Sequence, residues 1–199
     1  MRLLGFVCAC LAGVCLAGEA EKTWVALPAP QKQGGMPLME ALAARQTNRQ
    51  NRGPAPTLEQ LSDLLWAANG VSRPDGRRTA PSAMNRQEIQ LAVLTADGLY
   101  QYDPEAHGVL LQPVGAAFEE VRAGASAFVV FYYDSAEQSH EYALIDMGFV
   151  GQNIYLLCAS KGWNCAFLGV FNRRLFAEAL GCEESEVLFA QRVGLPAAK

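Results

Sequence analysis

At 199 residues the chain has the length of one domain, since single domains commonly hold about 100–200 residues. Apolar residues make up 51% and charged residues 18%, which supplies a sizeable core and excludes a disordered chain. The formal net charge of -4, with no lysine- or arginine-rich face, argues against nucleic acid as a partner.

The first twenty residues differ from the rest. Met1-Arg2 gives a positive start, Leu3 to Ala17 is an uncharged apolar run, and small residues follow at Ala17, Gly18 and Ala20. This is the anatomy of a secretory signal peptide, and the run is too short to span a bilayer comfortably. Export is therefore expected, to the periplasm, with residues 21–199 as the mature domain. A cytosolic N-terminal helix is the plain alternative. Cys15 adds a lipoprotein reading, anchored through that cysteine, although Val14 is bulky for the required cleavage. Cys8 and Cys10 also fall in the leader. The remaining Cys158, Cys165 and Cys182 have no metal-ligand spacing and read as buried apolar thiols, although an exported chain can oxidise one pair of them.

Trp24 to Pro30 alternates apolar residues with prolines and reads as an extended arm, followed by a Gly34-Gly35 hinge. Pro37 opens a helix to about Ala44, as suits a residue without an N–H at a first helical position. Arg45-Gln46-Thr47-Asn48-Arg49 comes next. Arginines around a hydroxyl hold phosphate by forked, charge-assisted hydrogen bonds. They also complement a helix C-terminus, and spacing alone does not choose. Thr57 and Gln60 form a capping box. Leu58, Leu61, Leu64 and Leu65 make an apolar helical stripe that ends at Asn69-Gly70.

Three strands follow: Ile89 to Thr95, Leu99 to Tyr102 and Val109 to Leu111, joined by turns at Ala96-Asp97-Gly98 and Asp103-Pro104. Phe118 to Arg122 reads as helical, and Phe128 to Tyr133 is the strongest strand. Tyr142 to Lys161 is the longest helix, apolar at Phe149, Ile154, Leu157 and Cys158 and stopped by Gly162. Gln152-Asn153 on it reads as a helix–helix hydrogen-bonding pair. Trp163 to Val170 is a loop or strand, Arg174 to Leu180 a helix closed by Gly181, and Val187 to Val193 a last strand. Strands and helices mix without regular alternation, which gives an α+β class.

Several chemistries have no residues to carry them. No phosphate-binding P-loop or dinucleotide-binding glycine pattern is present. His107 and His140, the only histidines, stand apart from metal-binding spacings and read as surface residues. Ser126 lacks the flanking glycines of a nucleophile elbow. What remains is Arg77 to Gln87, where small residues, Pro81, Ser82, Ala83 and two amides (Asn85, Gln87) crowd together. Such a loop suits close approach to a planar polar ligand.

These pieces, in order, resemble the nitroreductase superfamily of FMN enzymes, and within it the SagB-type dehydrogenase branch. Arg45-Gln46-Thr47-Asn48-Arg49 is similar to the family's R-x-S/T-x-R. Arg78-Thr79-Ala80-Pro81-Ser82-Ala83 resembles the branch's R-x-x-P-S-A, with Asn85 and Gln87 where relatives carry P-S-S-x-N-x-Q. Leu61 to Gly70 and the hairpin Leu99 to Pro104 also resemble that branch, and Gly148 to Leu156 is similar to G-x-x-x-Q-N-I/L-x-L. The resemblance implies an intertwined homodimer with a mostly antiparallel sheet flanked by helices. It implies that Arg45, Gln46, Thr47 and Arg49 bind the FMN phosphate and the pyrimidine edge. Pro81, Ser82, Ala83, Asn85 and Gln87 would cover the flavin from the other subunit, and Leu168 and Gly169 would offer backbone N–H groups near flavin N5 and O4.

The function this implies is FMN-dependent oxidoreduction of a small organic substrate through flavin N5, with an unidentified electron donor and no protein acid or base. A flavin-holding relay or binding module with little turnover, and a flavin-free dimer, are the alternatives. Two departures stand out. Glu88-Ile89 replaces the usual Pro-Trp after the glutamine. The short C-terminus leaves only Arg192 and Lys199 in place of a basic pair for the phosphate.

Overall fold

The computed structural model describes residues 21–196. The leader, Cys15 and Lys199 lie outside them. Seven strands form one sheet: β1 (Thr23–Ala26), β2 (Ile89–Leu94), β3 (Leu99–Asp103), β4 (Gly108–Gln112), β5 (Ala127–Tyr133), β6 (Asn164–Leu168) and β7 (Val187–Gly194). Their spatial order is β1-β4-β3-β2-β5-β7-β6, and every pairing is antiparallel. The helices are α1 (Leu38–Ala44), α2 (Leu58–Asn69), α3 (Ala116–Arg122), α4 (His140–Lys161) and α5 (Arg173–Leu180). The expected α+β class with a central antiparallel sheet is what the chain adopts.

Alternation along the strands sorts the core onto two faces. Leu91 and Val93 of β2 and Val129 and Phe131 of β5 pack under α2 and α4. Ala92, Leu94, Phe128 and Val130 pack on the other face against Phe118 of α3 and Phe176 of α5. All seven residues of β5 are buried. Covered on both faces, the strand reads as an unbroken apolar run rather than an alternating one.

Local signals account for the helix ends. Thr57 accepts the Gln60 N–H, and the Gln60 side chain accepts the Thr57 N–H, so the capping box forms. Gly162 ends α4 in the left-handed conformation at φ 68°. Pro37 proves to be the extended N-cap of α1 (ψ 143°), one position before the first helical residue. The arm becomes edge strand β1, and the ambiguous Trp163–Val170 stretch contains β6, because each finds a free neighbour strand.

His107 is corrected from surface residue to a half-buried tie. Its Nε2 lies 2.8 Å from Ser62 Oγ and 3.1 Å from the Pro28 carbonyl, and its Nδ1 3.0 Å from Tyr102 Oη. Ser62 Oγ donates to the Pro28 carbonyl at 2.6 Å. A neutral imidazole protonated on Nε2 satisfies the set, and burial lowers the His107 pKa in the direction that keeps it neutral. The ring joins the N-terminal arm, α2 and β3. His140 is exposed, as expected.

Candidate functional site

Helix α4 positions two clusters. The first gathers at its C-terminal half around Tyr155. The Tyr155 hydroxyl lies 3.1 Å from Thr47 Oγ1 and accepts the Phe167 N–H at 2.9 Å. The Arg45 guanidinium sits over its ring, 5.4 Å from the centroid, a favourable cation–π placement. One side chain thus joins the Arg45–Arg49 loop to the strand that ends at Leu168 and Gly169. A cleft of about 200 Å3 runs beside it, bounded by Gln46, Asn48, Tyr155 and Trp163 among others.

The loop is held from behind by its backbone. Asn48 N–H donates to the Cys165 carbonyl at 2.8 Å, and Asn164 Nδ2 to the Gln50 carbonyl at 2.7 Å. At Gly194 a Cβ would stand 2.5 Å from Asn51 Cα, so a residue without a side chain lets this segment lie against β7. With the backbone anchored, Gln46, Thr47 and Arg49 are exposed and Arg45 half-buried. Among the described residues no ion pair involves Arg45 or Arg49. Two uncompensated guanidinium groups flanking a hydroxyl are suited to a phosphate group.

Arg192 does not join them. It projects to the opposite face of the sheet, over the Phe128 ring at 5.6 Å, and its Nη2 donates to the Val121 carbonyl at 2.7 Å. Strand alternation sends a β7 residue at this register toward α3, so the expectation that Arg192 stays near the phosphate site is corrected.

The second cluster is the loop Ala80–Gln87, against the N-terminal half of α4. Met84, Asn85 and Gln87 all have positive φ (54°, 55° and 56°), a conformation unusual for residues with side chains. Local bonds fold the loop on itself. Gln87 N–H donates to Ser82 Oγ at 2.9 Å, and Gln87 Nε2 lies 3.3 Å from Asn85 Oδ1 and 3.2 Å from the Gly76 carbonyl. Ala83 N–H donates to Asp146 Oδ2 of α4 at 2.7 Å. Pro81 and Asn85 face solvent, and Ser82 and Ala83 are half-exposed.

The two clusters do not meet within one chain. Asp146 and Tyr155 are nine residues apart, which on an α-helix is about 14 Å along the axis and about half a turn around it. The helix therefore presents its two loops on different sides. Of the remaining expected residues, Asn153 makes the helix–helix bond, donating to the Ala68 carbonyl at 3.2 Å, whereas Gln152 is exposed.

Sequence reasoning missed Tyr155 and Asp146. Both lie in a helix that reads as apolar, and neither falls at a signature position of the family pattern. The sign available was weak: a tyrosine and an aspartate interrupting an otherwise apolar run.

The nitroreductase family profile matches residues 42–195. A candidate nitroreductase of Methanocaldococcus jannaschii is 28% identical over 173 residues, covering 76% of this chain and 87% of that one. Among solved structures, a candidate nitroreductase of Ralstonia eutropha aligns with a TM-score of 0.77 at 34% identity, covering 91% of this chain and 94% of its own. One from Desulfovibrio desulfuricans, solved in complex with FMN, has a TM-score of 0.57 at 19% identity, covers 83% of this chain and 89% of its own, and speaks to the fold alone.

Proposed function

The chain belongs to the nitroreductase family, and from that premise we propose that it is an exported FMN-dependent oxidoreductase acting on a small organic substrate at a site shared by two copies. The observation that carries this reading is the Tyr155 cluster, in which Arg45 and Thr47 meet the side chain that also holds Phe167 of β6, while among the described residues neither Arg45 nor Arg49 has an ion pair. Arg45, Thr47 and Arg49 would hold the cofactor's phosphate. The backbone at Leu168 and Gly169 would approach its ring system. When bound, the flavin supplies two-electron chemistry at N5. The protein's part is to bind, to orient and to shield the site from water, and no side chain is assigned as acid or base.

A second copy supplies what one chain holds apart. Ala80–Gln87 and the Arg45 loop lie on different sides of α4, so the first would cover the ligand held by the partner's version of the second. The exposed apolar residues Tyr142 (46%), Ile145 (51%) and Phe149 (44%) form a stripe along α4, and Leu38 and Met39 are exposed on α1. A second chain is the natural cover for such a surface. Within the family, Arg78 to Ala83 and the Leu99–Asp103 hairpin favour the SagB-type branch. Outside the cytoplasmic membrane the electron donor would be a quinone or a redox protein rather than a nicotinamide coenzyme.

The test is the paired substitution Arg45→Ala and Arg49→Ala, read as bound FMN per chain after desalting. Loss of at least tenfold in affinity is expected, in line with about 1.5–3 kcal/mol for a hydrogen bond to a charged group. Unchanged retention would contradict the assignment.

A further inference from the structure

We propose that a gap inside the sheet, between β2 and β3, is a binding site for a small α-amino acid, with the ligand carboxylate on Arg78 and its ammonium toward Asp103 and Glu105. The site stands independently of the flavin reading above, although Gln87 is common to both.

β2 and β3 pair only at Ala92 with Gln101, Val93 with Tyr100 and Leu94 with Leu99. Both strands run further, β2 back to Ile89 and β3 on to Asp103. On its other edge β2 stays paired with β5 from Ile89 onward, and β3 stays paired with β4 as far as Asp103. The sheet therefore parts between two interior strands rather than fraying at an edge. If the register ran on, Ile89 would meet Pro104, which has no N–H to give the ladder. Side chains serve this end of β2 instead. Arg78 Nη1 donates to the carbonyls of Gln87 at 3.1 Å and Ile89 at 3.2 Å, and Asn69 Nδ2 to that of Ile89 at 2.8 Å.

A cavity of about 280 Å3 fills the gap, walled by Arg78, Ile89, Leu91, Asp103, Pro104 and Glu105 among others. Small-molecule sites run from about 300 Å3 upward, so this one suits a ligand of few atoms. Opposite charges line the same space. Yet among the described residues no ion pair joins Arg78 to either carboxylate or engages any of the three elsewhere. Of the Arg78 nitrogens only Nη1 finds an acceptor there. Asp103 Oδ1 accepts the N–H groups of Glu105 and Ala106 at 2.9 and 3.0 Å, which fixes the turn and leaves Oδ2 unbonded. The Tyr102 hydroxyl is taken by His107. A guanidinium and two carboxylates thus face one cavity without neutralising each other. A simple anion is repelled by the carboxylates and a simple cation by the guanidinium. A zwitterion satisfies both, and the fork of a guanidinium fits a carboxylate. Ile89, Leu91 and Pro104 leave an apolar wall for a compact side chain.

The experiment is isothermal titration calorimetry of the full protein with L-alanine and L-leucine as probes. Each is compared with itself lacking the amine (propanoate, 4-methylpentanoate) and lacking the carboxyl group (ethylamine, 3-methylbutylamine). At least one amino acid should bind about tenfold or more tightly than both of its fragments, as expected when each charge makes a charged hydrogen bond. The double variant Asp103→Asn, Glu105→Gln keeps an acceptor for the turn and removes both negative charges. It should bind that amino acid about tenfold more weakly and the amine-free fragment no more weakly. Arg78→Lys should remove the preference for a carboxylate. Because Arg78 also holds two backbone carbonyls, far-UV circular dichroism is read alongside, and the double variant decides if Arg78→Lys does not fold. Neither amino acid binding to the unaltered protein would overturn the proposal. So would equal affinity for an amino acid and its fragments, or unchanged affinity in the double variant. FMN plays no part in these readings, so they stand whether or not the flavin assignment does.

Discussion

Replacing Tyr155 by phenylalanine would remove two hydrogen bonds, to Thr47 Oγ1 and from the Phe167 N–H, and leave the ring under Arg45. Each net hydrogen bond is worth about 1 kcal/mol. The unfolding temperature of Tyr155→Phe is expected to fall by about 4–8 °C, and FMN affinity, measured by flavin fluorescence quenching, to drop about 5–30-fold if the same bonds hold the loop in its binding position. Glu88 has a consequence for stability as well. Its pKa is raised from the usual 4.5 to about 7 in the folded chain. The stability it contributes is therefore complete below about pH 4.5 and lost as pH rises through 7. Between pH 5.5 and 8 this amounts to a loss on the order of 2 kcal/mol. Urea unfolding at these two pH values should show that fall, and Glu88→Gln should remove most of it. Neither residue's role was legible in the sequence. Tyr155 looks like one more large residue in an apolar helix, and Glu88 reads only as half of the Glu88-Ile89 pair that replaces the family's Pro-Trp. Their meaning depends on partners 108 and 58 positions away, Thr47 and Asp146.

Helix α4 carries both loops and the exposed stripe, so it is the element on which assembly would depend. Ile145→Asp puts a charge in the middle of Tyr142, Ile145 and Phe149 without touching the buried side, where Val150, Ile154 and Cys158 pack. It is expected to convert a dimer into a monomer by light scattering and to release FMN, while the far-UV circular dichroism stays unchanged. The elements themselves were legible to within a residue or two, for local reasons. The α2 capping box, the Gly162 and Gly181 stops and the β-branched and aromatic run of β5 are short-range signals. β1 and β6 were ambiguous because both are edge strands, and an edge strand is defined by the neighbour it finds. Arg192 was misplaced for a related reason. Closeness in sequence to the C-terminus says nothing about which face of β7 a side chain takes.

Over the whole molecule, the sheet is covered on both sides and the helix that covers one side separates the two halves of the candidate site. The loops were legible as motifs. Their separation by half a turn of α4 was not, because that depends on which helix face each loop reaches. On the proposed reading such a chain would complete its site by pairing with a second copy, and a flavin is the ligand whose phosphate and ring would suit the two kinds of surface. The most direct measurement is the visible absorption spectrum of the purified protein after incubation with FMN and desalting, followed by anaerobic reduction. Flavin bands near stoichiometric with chain, bleaching on reduction and returning with an added acceptor, are the predicted result. A colourless protein that leaves free FMN unchanged would contradict the account.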